Sequence, residues 1–443
     1  MERPSLRNLV LSPYSPLLPE DAENDAEKQP NSFVLEDPEG FAPTIVVPVP
    51  LAILISLMDG KRTCAEIVSA FTETTGENLT LSDLEEILKH FESLHFLDSP
   101  TFAAWLKEEM DTFQSLDTRP AVNGGQAYEK DAAALDAQIA ATLEIPVTLA
   151  RADGEGKTPE DAFPKNLVAA VVPHIDLGRG AASYGWAYRA ILERCSADTF
   201  VIFGTSHNPM KETFALSTKH FETPLGVLET DRALVAKIVS HFQEKYAGKE
   251  PVDLFADEFV HRDEHSIEFQ TIFLKYMENH TGRKIRIVPI LTNTFVPFIG
   301  GDADPADDPA VRALLDSVAA VLDESGSRKI AILASAEFSQ VGPMFGTPTP
   351  VDEKEADRIR EDDTLLLFSI LHRDPAGFWD TASRKNNANN LCGTAPIYCL
   401  LELLAKTHLL SHDSDKPAGE LVSYEQTIDD PTRSCVSFAT VLF

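Results

Sequence analysis

The sequence predicts a doubly wound α/β domain preceded by a smaller α+β module. From about residue 166, short apolar runs alternate with amphipathic helices, which is typical of a sheet covered by helices on both faces. The 443 residues exceed an average domain of roughly 100–200 residues, so we expect more than one domain. Hydrophobic residues make up 43% of the chain, enough for a sizeable core.

The charge balance excludes several classes of partner. Asp and Glu total 70 against 38 Lys and Arg, a formal net charge of −32. Nucleic acids and anionic membrane surfaces are bound by clustered Lys and Arg, so neither is an expected partner. Five cysteines are too few for a disulfide framework, and no apolar run approaches the roughly 18–20 residues that span a bilayer. The first residues lack the apolar core of a signal peptide, so we expect a cytoplasmic protein.

The N-terminal part of the chain predicts a tail and a compact module. Residues 1–32 are rich in proline and acid, which is typical of a disordered tail. Residues 33–116 combine short strands with helices, and Thr63 and Thr80 stand where helix caps are expected. The expected elements are strands at 33–35, 44–47 and 94–97 and helices at 50–58, 64–74 and 84–91. Short helices with a small hairpin predict a winged-helix-like shape.

Many winged helices bind DNA, but this module has no basic face, so a peptide- or protein-binding role is favoured. Its pattern consists of Asp59-Gly60, Thr63, Glu66-Ile67-Val68, Phe71 and Phe96-Leu97. With this pattern the module resembles the PqqD-like domains, which present peptides or partners to radical SAM enzymes.

The rest of the chain predicts the larger domain. Residues 117–165 are expected to form a helical linker that begins this domain, and residues 166–443 its body. Helices are expected at 131–143, 181–194, 231–244, 264–277, 310–323, 353–371, 375–383 and 394–406. Strands are expected at 167–172, 199–204, 214–216, 226–229, 285–291, 330–335, 420–426 and 435–441, with 214–216 and 226–229 paired as a hairpin.

Two histidines follow consecutive strands of the larger domain. His174 comes after the strand at 167–172, and His207 comes after the strand at 199–204. In doubly wound folds, ligands bind beyond the carboxyl ends of the strands, so both side chains are expected at a site. Histidine is the commonest metal ligand in proteins. The alternative for each residue is a structural, hydrogen-bonded histidine.

Cys392 stands immediately before a predicted helix. A helix N-terminus favours the thiolate, which is the form that binds metals. The alternative is a packed thiol. Together with the two histidines, Cys392 predicts a transition-metal site with an open coordination position. The sequence contains no CxxC pair and no phosphate-binding glycine loop, which disfavours zinc ribbons, iron–sulfur sites and nucleotide sites.

A charged cluster opens another of the predicted helices. Glu264 and Glu268 are four residues apart and share a face, with His265 beside them. One hypothesis makes His265 an acid–base or substrate-binding residue that Glu268 orients. The alternative is an acidic first turn that complements the helix dipole. Further along, after another strand end, Glu337 is expected either to hydrogen-bond a ligand histidine or to be a solvated loop acid.

A series of motifs runs through the larger domain in a defined order. They are Val172-Pro173-His174 with Gly178, Phe203-Gly204-Thr205-Ser206-His207, Phe221-Glu222-Thr223-Pro224-Leu225-Gly226 with Asp231, Asp263-Glu264-His265-Ser266-Ile267-Glu268, Ile287-Val288-Pro289-Ile290-Leu291, and Cys392-Gly393 with Pro396-Ile397. Over roughly residues 120–443, these motifs resemble the Memo family, component B of the AmmeMemoRadiSam gene system.

The resemblance implies a fold similar to that of the class III extradiol dioxygenases, which use non-haem iron(II). It matches His174, His207 and Cys392 to the family's metal-binding positions, with iron(II) or copper as the metal. It also makes His265 a site residue, and it keeps Glu268 beside it as a candidate catalytic residue.

The chain departs from the family at two motifs. The family's early His-Ala-Gly-Ser-Trp-Tyr motif stands here as Asn123-Gly124-Gly125-Gln126-Ala127-Tyr128. The family's acid-Phe-Cys-His motif aligns with Glu337-Phe338-Ser339-Gln340, so Gln340 stands where the family has histidine. In the dioxygenases the corresponding histidine is the acid–base residue, and glutamine does not transfer protons at neutral pH. The departure speaks against ring-cleaving oxygenase chemistry but not against metal binding. Glu264, Glu337 and Gln340 are expected to contact the ligands rather than the metal.

The resemblance implies two alternative functions. In the first, the protein is a metal-binding partner of a radical SAM protein or of its peptide substrate, in a redox or peptide-modification pathway. In the second, it is a non-haem-iron oxygenase acting on a small-molecule substrate. The fused PqqD-like module favours the first, and the intact His/His/Cys set is compatible with both.

Overall fold

The computed structural model describes residues 2–14, 32–145, 163–299, 304–324, 329–347, 349–407, 419–429 and 432–443. The contacts within the chain divide it into two units, Met1–Ser115 and Leu116–Phe443.

The N-terminal unit combines an antiparallel sheet with helices. The sheet has the order β1-β2-β3, formed by Val10–Tyr14, Ser32–Glu36 and Ile45–Pro48. The helices are α1 (Val49–Leu57), α2 (Cys64–Thr75), α3 (Leu81–Ser93) and α4 (Pro100–Ser115). Thr63 and Thr80 each form a capping box, with Glu66 and Asp83, as the sequence predicts. The sheet and helices α1, α2 and α3 share one apolar core, which includes Leu35, Leu54, Ile67, Leu84 and Phe91.

The expected disordered tail differs from the structure at its beginning. Val10–Tyr14 is a strand paired with β2, and the Arg7 guanidinium contacts the Asp37 carboxylate at 2.9 Å with both side chains buried. The strand gains its stability from pairing with a distant segment, which composition does not report. Residues 15–31, also part of the expected tail, lie outside the described residues.

The predicted edge strand at 94–97 is wrong. After α3 the chain turns sharply at His95, whose φ is 62°, and Leu97 makes an isolated bridge to Leu6. Phe96 and Leu97 are buried in the core of the unit, so their apolar character reflects packing rather than a strand. The following helix α4, which the sequence analysis missed, begins after Ser99, whose hydroxyl accepts a hydrogen bond from the Phe102 amide.

The larger unit is built on one mixed sheet. Among its described residues the sheet has eleven strands in the order β12-β14-β5-β11-β6-β10-β9-β8-β4, with β13 paired to β14 and β7 paired to β10. The strands are β4 (Thr118–Arg119), β5 (Ala169–Val172), β6 (Thr199–Thr205), β7 (Phe214–Leu216), β8 (His220–Thr223), β9 (Gly226–Thr230), β10 (Arg286–Thr292), β11 (Ile330–Ser335), β12 (Gln340–Val341), β13 (Glu420–Ile428) and β14 (Cys435–Leu442).

The helices of the larger unit cover both faces of this sheet. They are α5 (Ala132–Leu143), α6 (Leu177–Arg194), α7 (Arg232–Lys245), α8 (His265–Thr281), α9 (Pro309–Glu324), α10 (Glu353–Leu371), α11 (Pro375–Ser383) and α12 (Thr394–Lys406). Successive strand residues alternate between two cores. Val201 and Phe203 pack with α7, α9 and α12, whereas Phe200 and Ile202 pack with α5, α6 and α8. The doubly wound α/β prediction is confirmed.

The parallel centre of the sheet places its strand ends together. Strands β5, β11, β6 and β10 are mutually parallel, with Val172 opposite Ser335 and Ser335 opposite Gly204. Their carboxyl ends therefore meet at one edge of the sheet. No helix in the described part of the chain is both long enough and apolar enough to cross a membrane.

The predicted hairpin between 214–216 and 226–229 is wrong. Strand β7 pairs antiparallel with β10, and the hairpin is instead formed by β8 and β9, with Phe221 opposite Leu228. Its turn contains Gly226, whose φ of 118° is rarely adopted by other residues. The polar sequence of β8 concealed it, because only one face of that strand is buried.

A buried ion pair fastens β4 to the start of α8. Arg119 and Glu268 are both fully buried, and the Arg119 guanidinium donates to the Glu268 carboxylate. The same guanidinium donates to the carbonyl oxygens of His261 at 2.8 Å and Glu264 at 2.9 Å. Arg119 therefore holds the chain on both sides of the first turn of α8.

Removal of Arg119 alone is expected to destabilise the larger unit more than removal of both partners. Arg119→Met leaves Glu268 buried without its cation, which costs about 3–5 kcal/mol, whereas Arg119→Met with Glu268→Leu leaves no buried charge. Urea unfolding of the full chain measures the free energy. Arg189→Met, which breaks an exposed pair with Glu193, is the control and should cost less than about 1 kcal/mol. An Arg119→Met protein as stable as this control would contradict the assignment.

Candidate metal centre

His174 lies just beyond the end of β5 and is 1% exposed. Its Nδ1 is 3.0 Å from the Ser335 carbonyl oxygen, so Nδ1 carries the proton and Nε2 keeps its lone pair. Burial, helped by the neighbouring His207 and His265, lowers the pKa of His174 well below its usual range. The imidazole is therefore neutral, the state in which histidine binds a metal.

His207 lies beyond the end of β6, with its ring 5.2 Å from that of His174 and at 87° to it. Both Nδ1 and the backbone N–H of His207 contact the Glu264 carboxylate, at 3.0 and 2.7 Å. Burial opposes protonation, but Glu264 and Cys392 outweigh it and raise the pKa of His207 well above its usual range. Binding of a metal at Nε2 therefore displaces a proton.

Cys392 is positioned by a close approach between two segments. Its Sγ is 3.2 Å from His174 Nε2 and 3.5 Å from His207 Nε2. The next amide, of Gly393, donates to the Glu337 carbonyl oxygen at 2.8 Å. A Cβ on Gly393 would stand 2.5 Å from that same oxygen. Only glycine permits the approach that brings Cys392 to the histidines.

The donor atoms of His174, His207 and Cys392 all lie within 4.8 Å of one another. A tetrahedral ion bound at about 2.1 Å by nitrogen and about 2.3 Å by sulfur separates its ligand atoms by about 3.5 Å. The sulfur–nitrogen distances of 3.2 and 3.5 Å fit that spacing. The structure thus brings together the three residues that the sequence analysis selected as metal ligands, in a geometry that suits a transition metal.

A second group of donors, His207, Glu264 and His265, also lies within 4.8 Å. Here the hydrogen bonds account for the geometry. Glu264 caps α8 by accepting from the Ser266 amide at 2.9 Å, and it accepts from His207 as well. A carboxylate that accepts from the distal nitrogen of a histidine fixes its tautomer and ring orientation. Glu264 therefore contacts His207, one of the three predicted metal ligands.

His265 completes the surroundings of the three donors. Its ring stacks on that of His207 at 4.6 Å and lies 5.4 Å from that of His174. Its Nδ1 is 3.4 Å from Glu264 Oε1. Burial lowers the pKa of His265 to about 4, so the ring is neutral. A neutral imidazole beside the donor set is available to accept a proton from a bound molecule.

The hydrogen-bond partners of Glu268 differ from the one that the sequence analysis expected. Its carboxylate receives hydrogen bonds from Arg119, the Tyr128 hydroxyl and the Asn123 amide, and not from His265. These contacts take up both oxygens, so Glu268 holds the segment after β4 instead of orienting His265. The spacing of four residues correctly placed Glu268 on the face of Glu264, but burial gave it another partner.

Glu337 and Gln340 stand beside His174. Glu337 is 6% exposed, which excludes the solvated loop acid, and burial raises the pKa of its carboxyl above the usual range. Gln340 Nε2 donates to Glu337 Oε2 at 2.9 Å, and this oxygen is 4.0 Å from His174 Nε2. The expected hydrogen bond between His174 and the Glu337 carboxylate is absent, because His174 Nδ1 donates to the Ser335 carbonyl oxygen instead.

The sequence analysis missed the polar network beneath the donors. Gln270 is fully buried on α8, and its Nε2 donates to the Pro173 carbonyl oxygen and to the Ser335 hydroxyl, both at 2.8 Å. The Tyr188 hydroxyl donates to Gln270 Oε1 at 2.7 Å. These contacts tie the residue before His174 to the strand that supplies Ser335. A glutamine within an apolar helix stretch was the available signal.

Comparison with known proteins agrees with this architecture. A family model described as "Memo-like protein" matches residues 119–442. The chain is 26% identical over 419 residues to a MEMO1 family protein of Aquifex aeolicus, covering 95% of this chain and 98% of that protein. It is 30% identical over 240 residues to a MEMO1 family protein of Methanosarcina barkeri, covering 54% of this chain and 73% of that protein. It is also 27% identical over 292 residues to a MEMO1 family protein of Thermococcus kodakarensis, covering 64% of this chain and 89% of that protein.

Loss of the Glu264 charge is expected to weaken metal binding. Glu264→Gln keeps the acceptor for the Ser266 amide but loses the charged contact that orients His207, so the affinity should fall roughly 10–100-fold. Asp231→Asn, which alters another buried N-cap at the start of α7, is the matched control. Metal affinity, measured by competition with a chelator, should be unchanged in the control. Equal affinities for Glu264→Gln and wild type would contradict the role assigned to Glu264.

Proposed function

We propose, from the premise that the chain belongs to the Memo-like protein family, that its larger unit binds iron(II) or copper through His174, His207 and Cys392. The observation that carries the proposal is the cluster of three donor atoms within 4.8 Å. Two imidazoles and one thiolate are donors for iron or copper rather than for magnesium or calcium.

The donor set leaves coordination positions for a further molecule. Three protein ligands do not fill the shell of iron(II), which also takes water or substrate. A bound ion would supply redox chemistry at this position. The chain itself supplies the surroundings: Glu264 holds the His207 ring, Ser335 holds the His174 ring, and His265 offers a neutral imidazole.

The N-terminal unit supports a role with a partner. In the order β1-β2-β3, strand β3 is at an edge of the sheet within the described residues, and Val46 on this strand is 55% exposed. Both edge strands contain a proline, which has no N–H to donate: Pro13 lies within β1, whereas Pro48 is the last residue of β3. An extended peptide can add to an open edge. The resemblance of this unit to PqqD-like domains makes a radical SAM protein or its peptide the proposed partner. The match to the Aquifex aeolicus relative covers 95% of this chain, so it includes much of the N-terminal unit.

An oxygenase acting on a small molecule is the second candidate. His265 favours it, because this imidazole lies beside the donors without being one of the His/His/Cys set. Gln340 speaks against it, since its amide donates to Glu337 and does not transfer protons. The balance favours a metal-binding protein that works with a partner.

Protein purified without oxygen is expected to contain close to one iron or copper per chain. The His174→Ala, His207→Ala variant should contain almost none, because a single thiolate does not retain the ion. Elemental mass spectrometry measures both. His241→Ala with His280→Ala removes two histidines on the surface and is the control. Wild-type protein that is metal-free and takes up neither ion would refute the proposal, and oxygen uptake by the loaded protein would favour the second candidate.

Disruption of the β3 edge is expected to abolish binding of the partner. Val46→Arg places charge on the edge where the peptide would pair, whereas Val10→Arg makes the same change on β1, with 44% exposure at the wild-type residue. Binding of the full chain to the radical SAM protein of the same gene system, or to its peptide, is measured by calorimetry. We expect binding in wild type and Val10→Arg but not in Val46→Arg. Equal binding by all three proteins, or by none, would refute this role.

A further inference from the structure

Glu337 is a buried carboxylate that has no Lys or Arg paired with it among the described residues. The side chain is 7% exposed, and in the described part of the chain its carboxylate receives one hydrogen bond, from the neutral Gln340 amide. The nearby Arg179 is paired with Asp176, and its side chain is 47% exposed. With one neutral donor the ionised form of Glu337 is costly, and a positive ion beside it would offset that cost.

The geometry locates that positive charge. Glu337 Oε2 is 4.0 Å from His174 Nε2, the nitrogen that faces Cys392. Two ligand atoms of one ion are about 3.5 Å apart. The distance between Glu337 Oε2 and His174 Nε2 is therefore close to that expected for two ligands of the same ion. Glu337 is outside the group whose donor atoms all lie within 4.8 Å of one another, so its side chain must turn inward to join them. Its other oxygen is not held by Gln340.

We infer that Glu337 is a fourth protein ligand of the metal centre and that it makes the centre selective for a divalent ion over Cu⁺. The inference rests on the proposed metal-binding function. The Cys392 thiolate alone balances one positive charge, whereas the thiolate and the Glu337 carboxylate together balance two. On the buried side of the site, where His174 and Glu337 lie, a balanced charge is favoured over a net charge. The Glu264 carboxylate is stabilised separately by three hydrogen bonds, from the Ser266 amide, the His207 backbone N–H and His207 Nδ1.

Gln340 is the positioning residue in this arrangement. Its Nε2 holds Glu337 Oε2, and the Gln340 backbone is fixed in turn, because its amide donates to the Asn389 carbonyl oxygen at 2.8 Å. Asn390 donates to the Gln340 carbonyl oxygen at 3.3 Å. The segment that carries Cys392 is therefore linked directly to the residue that orients Glu337, and the two anionic ligands are set together.

The test compares one divalent and one monovalent ion in the full chain. Dissociation constants for Co²⁺ and Cu⁺ are measured without oxygen by competition with chromophoric chelators. Glu337→Gln should weaken Co²⁺ binding by roughly 100-fold or more, the upper range for loss of a group around a metal. Cu⁺ binding should change less than about threefold, because the His/His/Cys set is retained. The visible spectrum of bound Co²⁺ should also change in Glu337→Gln, since its ligand field loses a carboxylate.

Further variants separate the ligand role from a general effect. Gln340→Leu should cause a smaller loss of Co²⁺ affinity, because the carboxylate remains but is no longer oriented. Glu425→Gln, a partly buried carboxylate that accepts from Ser183, is the matched control and should bind both ions as wild type does. An unchanged Co²⁺ affinity and spectrum in Glu337→Gln overturns the inference, as does an equal loss for both ions. If wild type binds neither ion, the proposed function itself fails.

Discussion

The candidate metal centre depends on three strands that run parallel and in register. Val172 of β5 is opposite Ser335 of β11, which is opposite Gly204 of β6. A few residues beyond these positions stand His174, Glu337 and His207, so the hydrogen-bond register of the sheet sets how far apart these side chains are. The sheet is buried on both faces, and this rigidity fixes the donors before any ion is bound.

Two further segments reach this strand edge by different means. The N-terminus of α8 delivers Glu264 and His265, and the fully buried Arg119 holds the carbonyl oxygen of Glu264 in place. The segment before α12 delivers Cys392, which approaches because position 393 has no side chain. The charged residues thus act on the site in two ways, by direct contact and by holding a helix in place. Glu264 touches a donor histidine, whereas the Arg119–Glu268 pair fixes the helix that carries Glu264.

Local patterns predicted much of this arrangement, and long-range partners account for what they missed. The helices at 353–371, 375–383 and 394–406 match the structure because their caps and apolar faces are local. His174, His207 and Cys392 were identified because strand ends and helix starts can be read along the chain. Strand β1 could not be, since it depends on pairing with β2 further along the chain. Strand β8, the hairpin partner of β9, was missed because its polar sequence buries only one face. The role of Glu268 was missed because its partner, Arg119, is 149 residues away.

The separation of the donors along the chain bears on how the protein is made. His174 precedes Cys392 by 218 residues, and β5, which carries His174, pairs with β14 near the end of the described chain. During synthesis, which proceeds at about 5–20 residues per second, the complete donor set does not exist until nearly the whole of the larger unit has been translated. The proposed ion would therefore bind only after most of the larger unit has been made. Its delivery would belong to maturation of the protein rather than to the start of its folding.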